Sequence, residues 1–174
     1  MVSRWLYLGL ILLVVLQRSA ELRLARRNER LARAAGAVEF GAGHYPWMVA
    51  IHSLFLTSCV LEVWLLGRPF APRAAGAMLL LLGVATGLRY WAISSLGPRW
   101  TTRILVRPGV PLITDGPYRW LRHPNYLAVV IEIAALPLVH GAWLTAVIFS
   151  VANAALLTVR IRAENAALDG GAGG

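Results

Sequence analysis

Apolar residues fall in long unbroken runs along this chain, separated by short stretches rich in arginine, glycine and proline. The first run, residues 5–17 (WLYLGLILLVVLQ), has only Arg4 before it and Arg18, Arg23, Arg26, Arg27, Arg30 and Arg33 after it. That asymmetry holds the following segment in the cytoplasm and makes the run an anchor rather than a cleaved leader. Residues 18–35 keep a helical pattern, with Leu22, Leu24 and Leu31 among the arginines, until Gly36. They predict a basic amphipathic helix that extends from the first span at the cytoplasmic interface. Residues 46–66 and 74–95 are each long enough to cross a bilayer, with a short polar turn, 67–73, between them.

The stretch 96–123 holds Gly97, Pro98, Pro108, Gly109, Pro111, Gly116 and Pro117, so it predicts a structured loop rather than one helix. The last apolar region, 124–159, is interrupted by Pro137, His140 and Gly141. It predicts two helices, about 126–139 and 142–159, after which the chain leaves the lipid at Arg160. The arginine-rich loops 18–45 and 96–123 and the C-terminus go inside; 67–73 and the 140–141 turn go outside. The expected fold is an all-α polytopic membrane bundle of about five transmembrane segments. It forms a single domain, 1–174, that ends in a helical hairpin. No internal repeat favours a repeat-built transporter.

Composition agrees with lipid as the solvent. The chain is 58% hydrophobic and 14% charged, against about 25% charged for soluble domains. The net charge of +9 comes from 17 basic residues, every one an arginine. No aromatic-interleaved basic stretch suggests nucleic acid, and loop arginines of a membrane protein account for the charge. The single cysteine, Cys59, lies inside an apolar run and the four histidines lack zinc spacing, so neither a disulfide framework nor a metal is expected.

Two segments carry chemistry. In GPYRWLRHPNY (116–126), Pro124 suits a first helical turn with His123 near the cap. A helix N-terminus at the membrane surface, with Arg119 and Arg122 beside it, suits an anion. The same residues also read as an interfacial helix start with snorkelling arginines and a belt of Tyr118, Trp120 and Tyr126. The second segment pairs Arg160 with Glu164 at i, i+4. It reads either as a surface ion pair or as a carboxylate for an amino group and a guanidinium for an anionic acceptor.

Together, GPYRWLRHPNY, an apolar hairpin and RIRAEN (160–165) resemble the signature of the isoprenylcysteine carboxyl methyltransferase family, GxYxxxRHPxY followed by two helices and RIxxEE. The segments 36–47 and 95–109 further resemble a bacterial branch that methylates alkylpyrones. The resemblance implies S-adenosylmethionine as cofactor, held in a cytoplasm-facing pocket of the final hairpin, within about 96–168. It implies that Tyr118, His123, Pro124, Asn125 and Tyr126 bind the cofactor, that Pro111, Leu112 and Ile113 line its adenosine, and that Glu164 contacts it. Arg160 corresponds to a residue near the substrate. Asn165 stands where the family has a second glutamate.

Glu62, Arg89, Glu132 and Asn153 are polar groups inside apolar segments, where such groups are costly. Glu132 reads as a clasp to the facing helix near Ser150 and Asn153, or as a group that orients the acceptor's polar head. Arg89 reads as snorkelling and Glu62 as structural. The expected catalytic set is Arg160, Glu132 and Arg119. The expected activity is O-methylation of a carboxylate or acidic hydroxyl on a lipophilic acceptor, at the bacterial inner membrane. Alkylpyrone, prenylcysteine, another isoprenoid acid and a phospholipid amine are the candidate acceptors. The rivals are an NADPH-dependent membrane reductase, with Arg103 and Arg107 for the phosphate, and a non-catalytic scaffold.

Overall fold

Five α-helices, three short 3-10 turns and one small sheet make up the described residues. The computed structural model describes residues 1–171. Helix α1 (Val2–Ala34) leads to strand β1 (Val38–Phe40), then α2 (Tyr45–Leu65) and α3 (Pro72–Leu96). Strand β2 (Ile104–Val106) follows, and α4 (Pro124–Leu138) and α5 (Trp143–Gly171) close the bundle. The chain is thus an all-α membrane bundle. Four of its helices are long and apolar enough to cross a membrane. The fifth, α4, has 15 residues, about 22 Å, short of a hydrocarbon core of about 30 Å.

The two ends of the bundle are built differently. One end gathers Ser3, the 67–70 loop and the 140–141 turn: His140 Nε2 lies 3.2 Å from Ser3 Oγ, and Phe70 packs on the His140 ring. Gly141 turns the chain with φ +68°, and a Cβ there would meet the Pro69 carbonyl oxygen at 2.9 Å. The other end gathers the basic half of α1, the 97–123 segment and the C-terminal part of α5. This is the segregation that the alternation of spans predicts.

Between the ends, Tyr7, Phe55, Cys59, Val63, Ile133, Leu136 and Val139 form the apolar core. Pro137 removes a backbone donor from α4, and the Tyr7 hydroxyl donates to the neighbouring Leu136 carbonyl at 3.2 Å.

Helix α5 runs well past Arg160, so the RIRAEN segment is helical, as the i, i+4 reading of Arg160 and Glu164 expects. Two details differ from the sequence expectation. Strands β1 and β2 pair antiparallel, with Glu39 opposite Leu105; three-residue strands are too short to read from periodicity. Arg89 does not snorkel. It is 4% exposed and bonds Glu132 through Nε and Nη2 and Asn125 Oδ1 through Nη1 at 3.2 Å. Glu132 also accepts from Arg18, so it clasps α1 and α3 rather than the facing α5.

Glu62 is structural and lies at the end of the bundle that holds the 67–70 loop. Its carboxylate accepts from the backbone N–H of Leu144 at 3.2 Å and of Thr145 at 2.7 Å, and from Arg68 Nε at 2.8 Å. It therefore satisfies amides in the first turn of α5 that no carbonyl reaches. We expect Glu62→Leu to destabilise the folded protein by about 1–3 kcal/mol, the cost of leaving such donors unpaired. Thermal unfolding of the detergent-purified variant checks this.

Candidate functional site

The 116–126 block begins with a turn that only glycine accommodates. Gly116 has φ +60°, and a Cβ on it would strike the Ser95 hydroxyl and approach Trp91 Nε1 at 3.1 Å. A short 3-10 turn over 116–119 follows, and Pro124 opens α4. Tyr118, His123 and Tyr126 are thereby aimed toward α5. The His123 and Tyr126 rings stack with centroids 5.1 Å apart.

Helix α5 meets them with Arg160, Glu164 and Asn165. Tyr126 donates its hydroxyl hydrogen to Glu164 and accepts from Arg160 Nε at 2.7 Å. His123 Nδ1 lies 3.9 Å from Glu164, and His123 Nε2 lies 3.2 Å from Asn165 Oδ1. The anion at the start of α4 is thus the chain's own carboxylate, and Asn165 serves as the partner of His123. Arg160 also donates from Nη2 to the Thr102 carbonyl at 2.7 Å and from Nη1 to Met48 Sδ at 3.0 Å, bonds that use one N–H of each terminal nitrogen. The i, i+4 spacing of Arg160 and Glu164 therefore brings both to Tyr126.

Two cavities meet at this cluster. A small one of about 130 Å³ lies at the arginine-rich end, lined by Tyr118, His123, Glu164, Arg103, Ile104 and Leu168 among others. A large one of about 650 Å³ extends into the bundle and is mainly apolar, bounded by Leu13, Val14, Phe55, Leu56, Leu82 and Ile133. Trp100, Thr101, Asn125, Tyr126 and Arg160 line both and form the wall between them. A charged belt, Arg18, Glu21, Arg89 and Glu132, lines the large cavity alone.

The structure gathers Tyr118, His123, Pro124, Asn125, Tyr126, Arg160 and Glu164 at the small cavity and Glu132 at the large one. It does not bring Pro111, Leu112, Ile113 or Arg119 to either. Leu112 is 58% exposed, Pro111 is tied through its carbonyl to Arg99, and Arg119 is exposed beside the Trp120 ring. Sequence reasoning missed Trp100 to Thr102, Arg18 and Met48. Trp100 is held by Asn28 of α1, whose Nδ2 donates to its carbonyl at 2.8 Å. A polar Asn28 on the buried stripe of a basic helix was the available signal. Among the described residues no His, Cys, Asp and Glu cluster has the arrangement of metal ligands.

A helical membrane bundle with a small cavity at its arginine-rich end and a larger apolar cavity behind a shared wall marks the class, a polytopic membrane protein with two adjoining cavities. Residues 77–170 match the isoprenylcysteine carboxyl methyltransferase (ICMT) family, and the chain belongs to that family. Its class is therefore that of the membrane methyltransferases. The chain is 46% identical over 159 residues to an uncharacterized protein, YpbQ, of Bacillus subtilis, covering 91% of this chain and 94% of that one. It is 26% identical over 149 residues to an uncharacterized protein of Haemophilus influenzae, covering 84% and 86%.

The electrostatics of the polar end follow from β1 and β2. Burial pushes the Tyr118 hydroxyl up to about 12, with the Glu164 carboxylate adding to the effect. It stays protonated as a donor. Burial raises the Glu39 carboxyl, but hydrogen bonds from Arg33 and Arg103 outweigh it and hold the group below the ordinary carboxylate value. Arg103, shifted up chiefly by Glu39, also stacks on Tyr45 at 4.0 Å. Because the folded value of Glu39 is depressed, its stabilisation is present above the unfolded value of 4.5 and is lost as pH falls through the folded one. We expect the stability advantage of the parent over Glu39→Gln to vanish in that acid range. Parallel thermal melts from neutral pH downward measure it.

Proposed function

We propose that the chain transfers the methyl group of S-adenosylmethionine to an ionised oxygen of a lipid-like acceptor. The observation that carries this reading is the shared wall. Asn125, Tyr126 and Arg160 face a cavity of mixed polar and apolar lining on one side and a mainly apolar one on the other. The donor set of the small cavity fits the cofactor's amino-acid end. Glu164 would take the ammonium group, with His123 orienting it, and Tyr118 and Ile104 offer apolar surface beside it. At about 130 Å³ the cavity encloses only part of so large a molecule, so its nucleoside would extend toward the open mouth. Arg103 is engaged by Glu39 and Tyr45, which leaves it a poorer partner for a nicotinamide phosphate.

The cofactor supplies an electrophilic methyl group on a cationic sulfur. The chain's part is to align and to keep dry, because a nucleophile and an electrophile that lose charge together react faster away from water. Arg160 would hold the acceptor oxygen and Tyr126 would fix Arg160. An acceptor already ionised near neutral pH needs no strong general base. Glu132 would orient the belt along which the acceptor lies, whereas Arg119 has no part. Alkylpyrone-type enolates and isoprenoid carboxylates both suit this arrangement. The arginine-rich end would face the cytoplasm of a bacterial cell, with the acceptor entering from the inner-membrane bilayer.

Calorimetric titration of the detergent-purified protein tests the cofactor. S-adenosylhomocysteine is expected to bind saturably, and Glu164→Ala to weaken it by about tenfold or more. Saturation by NADPH alone would replace the methyltransferase reading with a reductase. Arg160→Ala is expected to lower methyl transfer by about a hundredfold while leaving S-adenosylhomocysteine affinity near the parental value. An unchanged rate would remove Arg160 from the reaction.

A further inference from the structure

Among the described residues, two buried polar atoms lack a hydrogen-bond partner, His140 Nδ1 and Asn153 Oδ1. His140 sits at the outer end between the Tyr7 and Phe70 rings and lines neither cavity. Asn153 is different. It is 2% exposed, lies on α5, and lines the large cavity. It is ten residues into α5 from Trp143, about 15 Å. That is close to the middle of a hydrocarbon core about 30 Å thick. An amide oxygen that finds no donor at this depth is costly, since lipid offers none.

The charged belt of Arg18, Glu21, Arg89 and Glu132 in the cavity does not ask for a further ion. Arg18 pairs with Glu21 and Glu132, and Arg89 with Glu132, with Glu21 at 3.9 Å. Two guanidinium groups and two carboxylates thus neutralise one another. His52 Nδ1 is 2.8 Å from the Met48 carbonyl. What the cavity lacks is a neutral hydrogen-bonding group opposite Asn153. A hydroxyl answers either end of the amide, because it both donates and accepts.

We propose that Asn153 is a polar subsite for the tail of the acceptor, so that the lipid best held here carries a hydroxyl partway along its chain. This rests on the large cavity being the acceptor site. The position follows from helix geometry. Asn153 and Arg160 are seven residues apart, two turns of α5, and both face the cavity. The subsite therefore lies about 10 Å deeper than the guanidinium proposed to hold the reacting oxygen. The fitting ligand class is a single-chain amphiphile with an anionic oxygen at its head and a hydroxyl at that depth. Leu156 and Leu157 lie between the two polar points and suit the methylene segment that joins them.

The test is a hydroxyl scan by calorimetry on the full-length protein in detergent. The probes are hexadecanoic acid and its monohydroxy derivatives, with the hydroxyl moved stepwise along the chain. One mid-chain derivative is expected to bind about tenfold more tightly than the plain acid, with neighbours falling away on either side. Asn153→Leu is expected to level that profile, to keep its affinity for the plain acid, and to unfold at no lower temperature than the parent. A flat profile in the parent protein, a preference that survives in Asn153→Leu, or no saturable binding of any of these acids would overturn the proposal. The scan of the parent protein decides even if the variant folds poorly. S-adenosylhomocysteine binding on the same sample reports separately on the methyltransferase reading.

Discussion

A charge inside a bilayer needs a partner that is also inside, and Arg89 is where this chain meets that demand. Its guanidinium is almost wholly buried on α3 and reaches Glu132 of α4 and, more loosely, Glu21 of α1. Breaking such a pair strands an ion where neither water nor headgroups reach it, which is far more costly than losing a surface pair. The pairing therefore fixes how α1, α3 and α4 approach one another. Helix α5 is positioned by a second device of the same kind, the Glu62 carboxylate over its first turn.

The consequences reach the wall between the cavities. Arg89 also donates to Asn125, which follows Pro124 at the start of α4, so the belt deep in the bundle and the first turn facing the small cavity share one hydrogen-bonded chain. On the other side Arg160 is held by Tyr126, the Thr102 carbonyl and Met48, groups from three different parts of the chain. A wall assembled from so many elements is stiff where methyl transfer would need alignment, while the apolar space behind it stays open to chains of varied shape.

Much of this was legible in the sequence because lipid leaves few options. Long apolar runs had to be helices, arginine loops had to share a side, and the family resemblance placed Tyr126 and Glu164 at one site. What escaped was set by tertiary contact. Glu132 could be placed on its helix by counting, but its partners lie on α1 and α3, 114 and 43 residues away. Nothing local marks which helix it faces. The β1–β2 pair was hidden for the same reason, since three residues of extended chain carry no period and acquire meaning only from the partner strand. The 111–113 strip shows the reverse case, a motif placed by resemblance that the fold holds away from both cavities.

The Arg89–Glu132 pair also sets a timetable for assembly. Helices of a membrane protein are made in chain order, and Glu132 is synthesised 43 residues after Arg89. At about 5–20 residues per second, Arg89 is made about two to nine seconds before its Glu132 partner. Glu21 of α1 already exists by then and stands 3.9 Å from Arg89 in the finished fold. In the finished fold Arg89 therefore has one acidic neighbour made before it and one made after it.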